Sequence, residues 1–253
     1  MPELPVTVTN LTKVFSDDAR GNVRAVDGVT FEARRGEIFG LLGANGAGKT
    51  TTLRMLATIL QPTGGTARIM GHDVQNEPGA VRRNLGFHSA TTALYPRLTG
   101  RETLRFFAAI NGFPKQTLTR RVEELVDRFG IQDWADTRVD RLSSGMKQKV
   151  SLARTIAHDP PVLIFDEPTV GLDVLAAIDM LNVIRELRAE GKTVLFSTHI
   201  MSEAERLCDR IAIIGSGRIH ACGSLEELRR RTGLSTLEDI FVHCVQEGRR
   251  EDR

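Results

Sequence analysis

Residues 43 to 50 read GANGAGKT, and no other segment constrains the fold of this chain so strongly. Such a loop needs a buried strand before it and a helix after it. The oxygens of a polyphosphate must be met from several sides by backbone N–H groups and by the positive end of a helix. Glycine at 43, 46 and 48 permits dihedrals and close approaches that a Cβ would block. The flanking sequence supplies both partners: residues 37 to 42 (EIFGLL) have the apolar character of a buried parallel strand, and a helix continues through Leu53, Met55 and Leu56. The candidate phosphate-binding run is Gly43, Ala44, Asn45, Gly46, Ala47, Gly48, Lys49, Thr50 and Thr51. Lys49 is expected to reach the β- and γ-phosphates of a nucleoside triphosphate, and Thr50 to give its hydroxyl to magnesium.

A chain of 253 residues with 41% hydrophobic residues can bury a full core, as one large α/β domain or as one domain with an inserted lobe. Its 34 basic and 32 acidic residues leave a formal charge of only +2, so no global field argues for nucleic acid as a partner. The basic runs at 229 to 231 and 249 to 250 read as solvated helix faces or tail. Cys208, Cys222 and Cys244 are odd in number and lack close metal-ligand spacing, which fits free thiols in a reducing compartment. The start, MPELPVTVTN, has neither the cationic nor the apolar region of an export signal. No uninterrupted apolar run reaches the roughly 18 residues needed to span a bilayer. Direct membrane insertion is therefore not expected, and any membrane association has to come through a partner.

Along the chain, residues 4 to 39 read as short antiparallel strands, with a further strand near 66 to 70 after the turn at 62 to 65. The middle is helical. Leu104, Phe107 and Ala108 form one stripe that stops at Gly112, and Leu118, Val122, Leu125, Val126 and Phe129 form a second that stops at Gly130. These place a helical insertion at about residues 89 to 155. Strands then return at 162 to 165, 193 to 197 and 211 to 214, separated by helices at about 171 to 190 and 200 to 208, with Gly191 as a helix C-terminal cap. Two capping boxes, Ser224 with Glu227 and Ser235 with Glu238, begin a short helical tail.

Two downstream motifs narrow the chemistry. The apolar strand 162 to 165 (VLIF) ends in Asp166 and Glu167, which places two carboxylates at the sheet edge where open α/β folds bind ligands. Asp166 is expected to hold magnesium, through water, and Glu167 to polarise an attacking water. Residues 142 to 148 (LSSGMKQ) stand just before a helix whose first N–H groups lack partners, which makes a second anion site.

Together these residues resemble the nucleotide-binding subunit of an ATP-binding-cassette transporter, over nearly the whole chain. The resemblance implies an α/β P-loop NTPase (RecA-like) fold: a parallel sheet core, an antiparallel β subdomain and an inserted helical subdomain. It spans residues 4 to 235, with 236 to 253 as a helical tail. ATP and Mg2+ follow as ligands. It implies that Ser143, Ser144 and Gly145 contact the γ-phosphate of ATP held by a second subunit, by default an identical one, in a head-to-tail dimer. It also implies that Asp173, in the segment GLD, communicates across that dimer, and that His199 contacts the γ-phosphate. By residues alone a histidine after a strand is structural. Phe15, equally readable as a core aromatic, would stack on adenine.

The pattern LSSGM resembles the exporter branch whose polytopic membrane subunit is a separate polypeptide. Ala90 stands where the family normally has a magnesium-contacting glutamine, and this departure resembles the sodium-efflux type. The resemblance implies an ATP-hydrolysing subunit at the cytoplasmic face of the membrane, peripheral, powering export of sodium or of a drug-like, lipid or polysaccharide cargo. The alternatives are a soluble ATPase of the same fold acting in translation or DNA repair, and an ATP-binding module with little turnover, which the Ala90 departure suggests.

Overall fold

The apolar runs that end at Leu42, Asp166 and Thr198 lie side by side in the computed structural model of the protein, which describes residues 4–17, 21–89 and 93–251. Ala90 falls in the interval 90–92, outside the described residues. Strands β1 (Val6–Asp17) and β2 (Gly21–Ala33) pair antiparallel. The next strand, β3 (Ile38–Leu42), enters a different sheet, and helix α1 (Lys49–Leu56) comes after the glycine-rich loop. Strands β4 (Gly64–Ile69) and β5 (His72–Asp73) complete the four-stranded antiparallel sheet, in the order β2-β1-β4-β5.

Helix α2 (Pro78–Asn84) leads into strand β6 (Leu85–Ser89). Helices α3 (Gly100–Ile110), α4 (Leu118–Arg128) and α5 (Ser144–Thr155) then intervene before strand β7 (Val162–Asp166). The chain continues through α6 (Val174–Ala189), β8 (Thr193–Thr198), α7 (Met201–Leu207), β9 (Arg210–Gly215) and β10 (Arg218–Gly223), and finishes with α8 (Leu225–Thr232) and α9 (Leu237–Glu251). The six-stranded sheet has the order β10-β9-β3-β8-β7-β6, parallel throughout except for the antiparallel edge strand β10.

Burial on both faces explains the strand sequences. Every residue of β3, β7 and β8 is buried, so these strands read as continuous apolar runs rather than alternating ones. On one face, Phe39 stacks on Phe31 of the antiparallel sheet, ring centroids 4.9 Å apart. On the other, Phe165 and Phe196 pack with Leu104, Val122, Val126 and Ile184 of the helices. Full burial of a side chain of this size stabilises by roughly 1.5–3 kcal/mol.

The C-terminal segment is docked rather than free: Leu237, Ile240 and Cys244 of α9 share a buried cluster with Leu42, Ile211 and Ile213. Ser224 and Glu227 form the expected capping box. The expected second box, Ser235 with Glu238, is replaced by a cap one residue later. Thr236, not Ser235, accepts the N–H of Asp239 (3.1 Å) and donates to its carboxylate (2.7 Å). The Ser235 carbonyl is instead taken by Arg229 Nε at 2.7 Å. The sequence STLED offers two overlapping frames, and the structure adopts the later one.

Two histidines are held at β6, His88 within the strand and His158 against its first residue. His88 is 4% exposed, and burial, with the Arg154 guanidinium nearby, pushes its pKa down to about 4. Burial also holds His158, whose ring donates to the Leu85 carbonyl through Nε2 (3.2 Å), at about 4. Unfolded histidine titrates near 6.5, so between about pH 6.5 and 4 the unfolded chain binds more protons and stability falls as pH falls. Each histidine accounts for at most about 3 kcal/mol of that loss. We expect the melting temperature to drop between pH 7 and pH 5, and His88→Gln with His158→Gln to shrink the drop. A pH dependence unchanged in the double variant, measured by thermal melts, would contradict the assignment.

Candidate functional site

Sheet register gathers the site. Leu42 pairs with Thr198, Ser197 with Asp166, and Asp166 with Ser89, so the carboxyl ends of four adjacent parallel strands form one edge. The residues that succeed each strand are thereby delivered to the same place. After β3 comes the glycine-rich loop, after β7 Glu167, and after β8 His199.

The loop glycines are required by two different constraints. A Cβ at Gly43 would lie 2.5 Å from the Ile214 carbonyl oxygen, and one at Gly48 would lie 2.6 Å from that of Ala25. Gly46 and Gly48 also have φ of +79° and +103°, where a side chain is strained. Gly48, left-handed, is the residue from which α1 starts. Residues 45 to 51, with Ala25 and Glu167, line a cavity of about 220 Å³.

Lys49 is 4% exposed. Its ammonium donates to the carbonyls of Gly43 (2.7 Å) and Ala44 (3.1 Å) and pairs with Glu167 Oε1 at 3.0 Å. The same Oε1 lies 3.5 Å from His199 Nδ1. Thr50 Oγ1 donates to Asp166 Oδ1 at 3.0 Å. Thr50 and Asp166 thus offer two hard oxygen donors beside a buried cation. That set fits magnesium, which takes few protein oxygens and completes its shell with water and phosphate.

The structure therefore brings Lys49, Thr50, Asp166, Glu167 and His199 together. It places Ser143, Ser144, Gly145 and Asp173 elsewhere. Helix α5 begins inside the expected anion motif, because Ser143 caps it by accepting the N–H of Met146 at 3.3 Å. The exposed Ser144 and Gly145 line a second cavity with Asp173, which caps α6 by accepting the Ala176 N–H at 3.0 Å. Phe15, 39% exposed, pairs with Val23 on the β1–β2 ladder, two residues from the Ala25 that borders the loop. The Lys13 ammonium sits 5.1 Å from its ring centre.

Sequence reasoning missed Ser197. Its hydroxyl donates to Asp166 Oδ1 at 2.7 Å and accepts the Glu167 N–H at 3.0 Å. The available signal was a serine beside Thr198 at the end of the apolar run 194 to 196, since a hydroxyl in a buried strand needs partners.

Comparison with known proteins bears on the family and the fold. The family described as "ABC transporter" matches residues 26–170. The chain is 39% identical over 244 residues to the ABC transporter ATP-binding protein NatA of Bacillus subtilis (strain 168), covering 96% of this chain and 99% of that protein. It is 38% identical over 245 residues to the daunorubicin/doxorubicin resistance ATP-binding protein DrrA of Streptomyces peucetius, covering 97% and 72%. Among solved structures, it is similar to the dimeric post-hydrolysis state of the ATP-binding cassette MJ0796 bound to ADP and Pi, with a TM-score of 0.78 and 25% identity over 87% of this chain and 98% of that one.

The glycine geometry makes a graded prediction. Gly46→Ala meets open space and costs only left-handed strain, roughly 1–2 kcal/mol. Gly48→Ala adds a collision with strand β2 at Ala25. We expect a larger fall in melting temperature for Gly48→Ala and at least a tenfold loss of nucleotide affinity. Thermal melts and nucleotide titration check this, and equal melting losses would contradict it.

Proposed function

The chain belongs to the ABC transporter family of ATP-binding proteins, and we propose that it is the ATP-hydrolysing subunit of an exporter, acting as a head-to-tail dimer at the cytoplasmic face of the membrane. The observation that carries this reading is the meeting of Lys49, Thr50, Asp166, Glu167 and His199 at one sheet edge, while Ser144 and Gly145 stand at a separate cavity. One copy alone holds half of a closed site. A second copy, reversed, sets its exposed α5 N-terminus against the nucleotide bound by the first.

In this reading the loop amides and Lys49 bind the phosphates, and Phe15 stacks on adenine, an interaction worth ~1–3 kcal/mol. Thr50 and Asp166 hold magnesium, which when bound neutralises charge on the phosphate oxygens. Glu167 polarises the attacking water and His199 contacts the γ-phosphate. The pair of Lys49 with Glu167 has a consequence for order: phosphate must take over Lys49 before Glu167 can turn to water. The donors of the opposed α5 then act where charge develops on the transferred phosphoryl group.

Attachment to a polytopic permease fits the helical region between β6 and β7. No helix among the described residues is long and apolar enough to cross a membrane. Tyr95 (53%), Phe106 (42%) and Ile110 (58%) are exposed there, and Tyr95 and Phe106 pack edge to face at 5.8 Å. Arg101 is committed internally, paired with Glu123 and Asp136. The similarity to a drug-resistance ATP-binding protein and the LSSGM pattern support an exporter. Sodium or a drug-like, lipid or polysaccharide compound is the cargo proposed.

Two experiments test the reading. Glu167→Gln should abolish phosphate release, keep ATP binding and accumulate an ATP-bound dimer on size-exclusion chromatography. A monomeric variant that hydrolyses at the wild-type rate would sink both the role and the sandwich. Phe106→Glu should release the protein from native membranes by fractionation while leaving basal ATPase activity within about twofold. Unchanged sedimentation would move the docking surface elsewhere.

A further inference from the structure

Ser197 is completely buried on β8, between β3 and β7. Its hydroxyl touches both acidic residues of the site: it donates to Asp166 Oδ1 at 2.7 Å and accepts the backbone N–H of Glu167 at 3.0 Å. The Ser197 carbonyl lies 3.2 Å from the same N–H. We propose that Ser197 is a positioning residue for ATP hydrolysis, aiming the Asp166 carboxylate and holding the turn that carries Glu167.

Glu167 has φ of +48°, a left-handed conformation that a residue with a Cβ keeps only when its surroundings enforce it. The shared acceptance of its N–H by Ser197 supplies that enforcement at the residue from which the carboxylate projects. Relaxation of the turn would swing the carboxylate away from the phosphate loop while leaving the loop itself intact.

Asp166 needs a permanent partner for a different reason. Oδ1 receives two hydroxyls, from Thr50 and from Ser197. Thr50 is partly exposed at the start of α1, and its hydroxyl is the one the proposed metal site recruits. Ser197 is 0% exposed, so no water can take its place and no ligand can draw it off. When Thr50 turns to the metal, Ser197 keeps Asp166 oriented. A buried hydroxyl is costly unless bonded, and here both bonds of the Ser197 hydroxyl go to the site.

This inference rests on the ATPase reading, and the test separates the two. Phosphate release, ATP affinity in EDTA, ATP affinity with magnesium, and melting temperature are measured for wild type, Ser197→Ala, Ser197→Cys and Ser197→Thr. Ser197→Ala is expected to lower kcat at least tenfold with ATP affinity in EDTA within twofold of wild type, and to cut the affinity gained on adding magnesium at least threefold. Ser197→Cys, which fills the same space with a weak donor, should resemble alanine, and Ser197→Thr should recover most of the turnover. If threonine does not fit the strand, the alanine and cysteine pair decides. A kcat within twofold of wild type in Ser197→Ala, a wild-type rate in Ser197→Cys, or a loss of EDTA binding in step with kcat would overturn the positioning role. A wild-type protein that releases no phosphate would overturn the ATPase reading as well.

Discussion

The parallel register of β3, β8, β7 and β6 is the constraint on which everything else depends. Parallel strands all end on the same side, so segments distant along the chain are delivered to one edge without any loop having to reach for it. Leu42, Thr198, Asp166 and Ser89 are consecutive in space because their strands are hydrogen-bonded in that order. A shift of one residue in β7 would turn Asp166 to the opposite face of the sheet. The complete burial of β3, β7 and β8 between the antiparallel sheet and the helices holds that register.

Charge at this edge is arranged as a closed circuit. A buried ammonium costs several kcal/mol unless it is paired, and Lys49 is satisfied by two carbonyls and by Glu167. The lysine proposed to bind phosphate and the carboxylate proposed to serve hydrolysis are thus in contact, so in that reading phosphate at one would alter the freedom of the other. His199, beside the same oxygen, extends the contact to the end of β8. Hydroxyls of Thr50 and Ser197 do the corresponding work for Asp166.

Away from the edge, the segment between β6 and β7 carries the exposed aromatic residues Tyr95 and Phe106 and the capped start of α5. Arg154 of α5 ties this region together: its guanidinium lies 5.1 Å from the Phe107 ring of α3 and donates to the Ala93 carbonyl at 3.3 Å. The region proposed to meet the permease thus lies between β6, whose end is one of the four that build the site, and β7.

Much of this was legible in the sequence, because it depends on local rules. Glycine at 43, 46 and 48, the acidic pair after an apolar strand, the helix stops at Gly112, Gly130 and Gly191, and the capping box at Ser224 are each written within a few residues. Sequence alone determined the phosphate loop, the alternation of strands and helices and the identity of the charged groups. Only the tertiary structure decided that Ser197 bridges Asp166 and Glu167, that Lys49 is held by Glu167, that Thr236 rather than Ser235 caps the last helix, and that Ser144 and Asp173 share a cavity apart from the loop. The physical reason is that most of these contacts join residues separated by tens to more than a hundred positions. Their partners are set by strand register and by which face is buried, and no spacing along the chain encodes either.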